Sequence, residues 1–145
     1  MKIHAYLNFD GRAEEAFHFY ANVLGGKLSE VHRFGSMPQS GDFELTSEQK
    51  NRVMHVGLVL ADGQMLMASD VLDGMGAPRV EGNNISLSVH PDSRSEADRI
   101  FKALGEGGTV TMPIADQFWG DYFGSLTDRF GMNWMVNYSE MGTQQ

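Results

Sequence analysis

Five histidines, no cysteine and a scatter of amides and hydroxyls set the chemistry open to this chain. Without cysteine, disulfides, thiolate nucleophiles and cysteine metal sites are excluded. His55 is a candidate general base, because imidazole titrates near neutral pH. The other reading makes it a structural histidine on a sheet, and His4 carries the same two readings. His18, between Phe17 and Phe19, is expected to face solvent, and His32 and His90 carry no argument. Strand alternation sorts the other candidates. One set is apolar: Leu66 and Ala68, Ile85 and Leu87, Trp134 and Val136. The opposite set holds His4, Tyr6 and Asn8; Met65, Met67 and Ser69; Asn84, Ser86 and Ser88; and Asn133, Met135 and Asn137. His55 opposes Met54, Val56 and Leu58, so it is expected to share that second, inward face. Amides, hydroxyls, methionines and one or two histidines suit a pocket for a small organic molecule, with methionine adapting to its apolar parts. The alternative is a polar, watered interior or a dimer surface. Phe118 and Trp119 stand in a loop ending at Gly120. They could close over a ligand or pack against a partner subunit.

The elements that must position these side chains are written twice. Residues 84–89 alternate as a strand. Asp92 or Ser93 then caps a helix, and Glu96 lies three residues after Ser93 as in a capping box. Ala97, Ile100, Phe101 and Leu104 recur at helical spacing, and Gly105 ends the run. Near the N-terminus, 3–9 alternates, Asp10 is expected to cap, and Ala13, Ala16, Phe17, Tyr20, Val23 and Leu24 form one stripe before Gly25 and Gly26. The first half continues with a strand over 28–33 and a polar loop over 34–52, read as a lid. A strand over 53–60 then turns at Asp62-Gly63 into 64–69, and 70–82 is a connector. The second half continues with a strand over 109–112, a loop over 113–120, strands over 122–127 and 133–137, and a frayed tail after Glu140. In both halves a methionine, Met67 or Met135, lies four residues after the closing turn glycine, Gly63 or Gly131. The prediction is a single α+β domain over 1–145. It holds two βαβββ modules, about 1–70 and 83–140, forming curled mixed sheets with helices on their outer faces.

Composition narrows the partners. The net charge of −8 and the lack of a basic stripe argue against nucleic acid and an anionic membrane surface. Hydrophobic content of 41% and charged content of 21% are ordinary for a soluble globular chain. No apolar run approaches a membrane span. Met1-Lys2-Ile3-His4 leads directly into the first strand, so no secretory leader is expected and the cytoplasm is the default compartment.

Several motifs run from end to end of the chain. They are Tyr6-Leu7-Asn8-Phe9-Asp10-Gly11, Ala13-Glu14-Glu15-Ala16, Phe19-Tyr20, Arg33-Phe34-Gly35 with Met37-Pro38, and Met67-Ala68-Ser69-Asp70. Phe118-Trp119-Gly120 follows, then Thr127-Asp128 through Phe130-Gly131 to Trp134-Met135-Val136-Asn137. With the repeat, they resemble the vicinal oxygen chelate superfamily, which includes glyoxalase I, extradiol dioxygenases, fosfomycin-resistance proteins and bleomycin-binding proteins. Within it they resemble the PhnB-like branch, often labelled demethylubiquinone methyltransferase. The resemblance implies a cup in each half. In metal-bearing members four ligands lie inside it, on the first and last strands of each module.

Carried over, those ligand positions fall on His4, Asn84, Met67 and Met135. A thioether is a poor ligand for a hard or borderline divalent ion. The resemblance therefore implies that the ordinary metal site is missing, and no metal and no cofactor are expected. The methyltransferase label finds no Gly-rich phosphate turn, since the first turn is Asp10-Gly11-Arg12-Ala13. The expected function is metal-independent binding of a small organic molecule, with no catalytic residue assigned. The alternative is a metal-dependent lyase or dioxygenase of the glyoxalase type using His4. The expected binding residues are His4, Tyr6, Asn8, His55, Met67, Ser69, Asn84, Ser86, Trp119, Asn133, Met135 and Asn137. An isologous homodimer is expected, with the Phe118-Trp119 loop reaching the partner.

Overall fold

The computed structural model describes residues 1–38 and 44–140. The chain divides into two compact units, Met1–Val80 and Glu81–Gln145. No helix among the described residues is long and apolar enough to cross a membrane.

The first unit contains β1 (Ala5–Phe9), α1 (Ala13–Leu24), β2 (Lys27–Leu28), β3 (His32–Arg33), α2 (Ser47–Asn51), β4 (Val53–Val59) and β5 (Met65–Asp70). Its sheet has the order β1-β5-β4-β2, with β3 also on β4. β1 runs parallel to β5, and β4 antiparallel. The apolar stripe of α1 is buried at Ala13, Ala16, Phe17, Tyr20 and Val23. It packs against a sheet face that buries Phe9, Val56, Leu58, Leu66 and Ala68. Phe17 meets both Phe9 and Tyr20 edge-on, and each such side chain contributes about 2 kcal/mol by leaving water.

Three local expectations are corrected in this unit. Asp10 does not cap α1; its carboxylate pairs with Arg52 at 2.7 Å. The amides at the entry to α1 are held instead by Asp70 from the end of β5, which accepts from Gly11 N, ahead of the helix, at 2.9 Å and from Ala13 N, its first residue, at 3.0 Å. The strand over 28–33 is broken between β2 and β3. There the Ser29 hydroxyl accepts the Gly57 N–H at 2.8 Å, a side-chain bond from across the sheet that takes the place of a ladder bond. The stretch 34–52 is not all polar loop. Phe34 and Leu45 are buried with Leu72. α2 follows a capping box in which Thr46 and Gln49 satisfy each other's backbone N–H. Residues 39–43 of the expected lid, and 141–145 of the expected frayed tail, lie outside the described residues.

The second unit contains β6 (Leu87–Val89), α3 (Arg94–Gly105), β7 (Thr109–Asp116), β8 (Asp121–Thr127) and β9 (Asn133–Ser139). The order is β6-β9-β8-β7, with β6 parallel to β9. The core joins Ala97, Ile100, Phe101 and Leu104 of α3 to Leu126, Trp134 and Val136 of the sheet. Ser93 caps α3, accepting from Glu96 N at 3.1 Å, while the Glu96 carboxylate turns to Arg99 rather than back to the cap. The expected strand over 84–89 shortens to β6, and Ile85 is 76% exposed rather than packed on the helix. The loop expected over 113–120 shrinks, because β7 continues through Pro113 to Asp116. β7 is an edge strand with two register shifts against β8, the setting in which proline is tolerated.

Thus the fold is α+β: two mixed sheets, each with a parallel first-to-last strand pair and a helix on one face.

Candidate functional site

In the first unit, the sheet face away from α1 is polar. Tyr6 and Asn8 are exposed on β1, and Met65, Met67 and Ser69 are half-buried on β5. Tyr6 stands opposite Met67, and Asn8 opposite Ser69, whose hydroxyl donates to the Asn8 Oδ1 at 3.3 Å. From the other side, Gly57 of β4 stands opposite Met67. His55, two residues earlier on β4, pairs with His32 of β3. The Tyr6 hydroxyl lies 3.2 Å from the His55 Nδ1, with ring centroids 5.8 Å apart. Since β5 runs between β1 and β4, this contact crosses over β5. Two strand spacings, about 10 Å, are closed by a phenol from one strand and an imidazole from the other. His4 is half-buried just before β1, and alternation puts it on the Tyr6 side.

The second unit presents hydroxyls instead. Ser88, Met135 and Ser125 stand in register across β6, β9 and β8. Thr111 of β7 completes the row, its hydroxyl 2.7 Å from that of Ser125. Asn133 is largely engaged: its amide nitrogen donates to the Gly82 and Ile85 carbonyls at 2.9 and 3.3 Å, and its oxygen accepts from Thr127 at 2.9 Å. Asn137 is buried and donates to Asp121 at 3.1 Å. Asn84 and Ser86 are exposed and precede β6. Trp119 is 52% exposed and Phe118 97% exposed; their rings meet edge-on, and Trp119 also touches Phe123. On the helix side, the Tyr122 hydroxyl donates to Asp98. That carboxylate pushes the phenol above its usual range, aided by burial, and Arg94 stacks on the ring at 4.1 Å.

The structure thus gathers Tyr6, Asn8, His55, Met67 and Ser69 on one face of the first unit, and Met135, Asn133 and Asn137 on one sheet of the second. Sequence reading passed over Lys27 and His32, which oppose Val59 and His55, and over Thr111 and Ser125. Their signal is cross-strand register, which a one-dimensional pattern does not carry. Ser88 of β6 and His90, just beyond its end, lie 3.0 Å apart.

The sheet registers also correct the internal match. Tyr6 opposes Met67, and Ser88 opposes Met135. Two residues back from each, the counterpart of His4 is Ser86, not Asn84. The ligand-like positions then offer one imidazole, one hydroxyl and two thioethers. These do not fit a hard divalent ion. Among the described residues no group of three or more His, Asp or Glu could hold a metal.

Known proteins share this architecture. The chain is similar to the protein PA1353 of Pseudomonas aeruginosa, whose crystal structure is 41% identical, has a TM-score of 0.83, and matches over 96% of this chain and 98% of that one. It is similar to the PhnB protein of Bacillus cereus at 26% identity and a TM-score of 0.77, over 96% of this chain and all of the other. A glyoxylase/bleomycin resistance protein/dioxygenase domain from Frankia, 17% identical over 99% of this chain and 94% of its own, shares the fold at a TM-score of 0.66. The family model described as 3-demethylubiquinone-9 3-methyltransferase matches residues 1–137. The chain therefore belongs to that family, the PhnB-like branch of the glyoxalase, bleomycin-resistance and dioxygenase fold.

Proposed function

We propose that the chain binds a small organic molecule on the polar open faces of its sheets, without a divalent metal. The observation that carries this reading is the Tyr6–His55 contact over β5, made on an exposed face rather than in the core. Hydrogen-bonding groups there are held in place by one another while the neighbouring thioethers of Met65 and Met67 stay half-buried, a mix of fixed polar and adaptable apolar contacts that suits a small ligand. His4, Tyr6, Asn8, His55, Met67 and Ser69 form the core of the site. The open face of the second unit is read by itself, with Met135, Asn133, Asn137, Asn84, Ser86 and Trp119 as its ligand-facing set. The reading includes an isologous homodimer, supported by the large exposed side chains Phe118 and Trp119, and keeps the cytoplasm as its default compartment.

The test is a fragment screen on protein carrying methyl-labelled methionine, run with and without chelator. Binders are expected to move the Met65 and Met67 methyl signals equally in both conditions. Ser69→Leu should abolish those shifts while sparing the packed Leu66 and Ala68. Binding that vanishes with chelator, or hits that never touch these methyls, would defeat the reading. Sedimentation of the same samples gives the assembly state, with a clean monomer ruling out the dimer.

A further inference from the structure

Resting on that reading, we infer that the open face of the first unit selects a small organic anion, recognised by the His55 Nε2–H while Tyr6 fixes the imidazole tautomer. Two independent observations carry this. One is charge. The chain has 19 acidic residues and a net charge of −8, yet no strand position of this face is acidic. Its polar positions are Tyr6, Asn8, Ser69, His55, His32 and Lys27, the last two placed by their pairing with His55 and Val59. Arg79 adds a cation at one end, donating to the Asn8 carbonyl at 2.8 Å. Of the acids flanking β1 and β5, Asp10 turns to Arg52 and Asp70 to buried backbone amides; Glu30 is exposed in the link between β2 and β3, outside the strands. A cationic ligand would find no counter-charge on these strands. An anion would meet imidazoles and an ammonium.

The other observation is the Tyr6–His55 contact at 3.2 Å, whose direction follows from the chemistry of the two groups. A phenol is a much stronger donor than a neutral imidazole N–H, and an unprotonated imidazole nitrogen is a strong acceptor. Tyr6 therefore donates to Nδ1, which leaves the ring proton on Nε2. If His55 is protonated, Nε2 still carries a proton. In both states the free edge of the ring is a donor, so the group it meets is an acceptor oxygen. Carboxylate, enolate and phenolate share that chemistry, and a charge-assisted hydrogen bond to any of them is stronger than a neutral one. Tyr6 is a positioning residue here, acting through His55.

Nitrogen-15 spectra of the histidines, followed through an alkaline pH series, read the tautomer with no ligand present. The Nε2–H form is expected for His55 in the wild type, and a mixture in Tyr6→Phe. A wild-type His55 in the Nδ1–H form would overturn the inference whatever binds. Benzoate, benzamide and benzylamine then share one ring and differ in charge. Benzoate should shift the His55 and Met67 signals most, with affinity lowered about fivefold in Tyr6→Phe, the equivalent of one ordinary net hydrogen bond. Benzylamine moving these signals as strongly as benzoate would also overturn it. If a neutral molecule binds this face and benzoate does not, the anion inference falls while small-molecule binding stands. If nothing moves these signals, both fall.

Discussion

The two units share a topology and differ in their chemistry. Each pairs its first strand with its last in parallel, and each places a methionine of the last strand opposite a polar residue of the first: Met67 opposite Tyr6, Met135 opposite Ser88. On the packed faces the likeness holds, with a helix stripe burying aromatic and aliphatic side chains against the sheet. On the open faces it fails. One carries imidazoles, a phenol and a lysine without an acid; the other carries a row of hydroxyls and a buried Asp121–Asn137 pair. Packing constrains the helix-facing positions, because a lost methylene there leaves a cavity. The open positions answer only to solvent or a ligand, so they are free to diverge.

The units also differ in how their helices are anchored, and this predicts the largest effect. In the first unit Asp70 reaches from β5 to the amides of Gly11, Ala13 and Val53, at 2.9 to 3.0 Å. It is 3% exposed. Removing it strands three donors around two fully buried residues, so Asp70→Ala should cost about 4 kcal/mol, since a hydrogen bond to a charged group is worth about 1.5–3 kcal/mol. In the second unit the cap is the local Ser93 hydroxyl, and Ser93→Ala should cost about 1 kcal/mol. Urea unfolding of both variants checks the ratio. Equal losses would break the contrast between a long-range anchor and a local one.

Glycines on opposite faces give a middle-sized test. A methyl on Gly124 of β8 would lie 2.7 Å from the Phe101 ring and 2.8 Å from the Ile114 Cα. Gly57 of β4, on the open face, has Ser29 Oγ at 3.4 Å as its nearest neighbour. Gly124→Ala should therefore cost about 2 kcal/mol through overpacking, and Gly57→Ala should stay within about 0.5 kcal/mol. A large loss at Gly57 would show that the open face is as tightly constrained as the core.

Periodicity in the sequence reported the packed halves of this molecule well, because burial imposes a period on residues close in the chain. The stripes of α1 and α3, the strand faces of β5 and β9, and the Ser93 cap were all readable. Contacts made at long range were not. Asp10 sits where a cap belongs, but Asp70, 57 residues from Ala13, does the work. Ile85 fits an alternating pattern, yet the strand begins two residues later and leaves it in water. Thr46-Ser47-Glu48-Gln49 does spell a capping box, hidden within a polar stretch that reads as loop. At the site, alternation placed Tyr6, Asn8, Met67 and Ser69 on one face. The bridge from Tyr6 to His55, and the places of Lys27 and His32, needed the sheet register.

The smallest effect expected is on the helix surfaces, and it depends on pH. Glu96 of α3 receives Arg99 Nε at 2.6 Å and a second guanidinium nitrogen at 2.9 Å. The hydrogen bonds from Arg99, then its charge, hold the Glu96 carboxyl below the usual range against some desolvation. A depressed folded value means that the ionised form is favoured by folding. The stabilisation is therefore present above the unfolded glutamate value, about 4.3, and is lost as pH falls through the folded one. Arg12 and Glu15 of the first unit make the matching contact at longer range, 3.2 and 3.4 Å. Both pairs are exposed, so salt screens them. Glu96→Gln should lower the thermal midpoint slightly at neutral pH. The gap from wild type should close in acid and shrink in high salt, and Glu15→Gln should give a gap no larger. Melting curves of the two variants across pH and ionic strength decide it. A Glu96→Gln gap that is unchanged in acid would mean the carboxylate is not what Arg99 holds, and a wider gap for Glu15→Gln would reverse the order of the two helices.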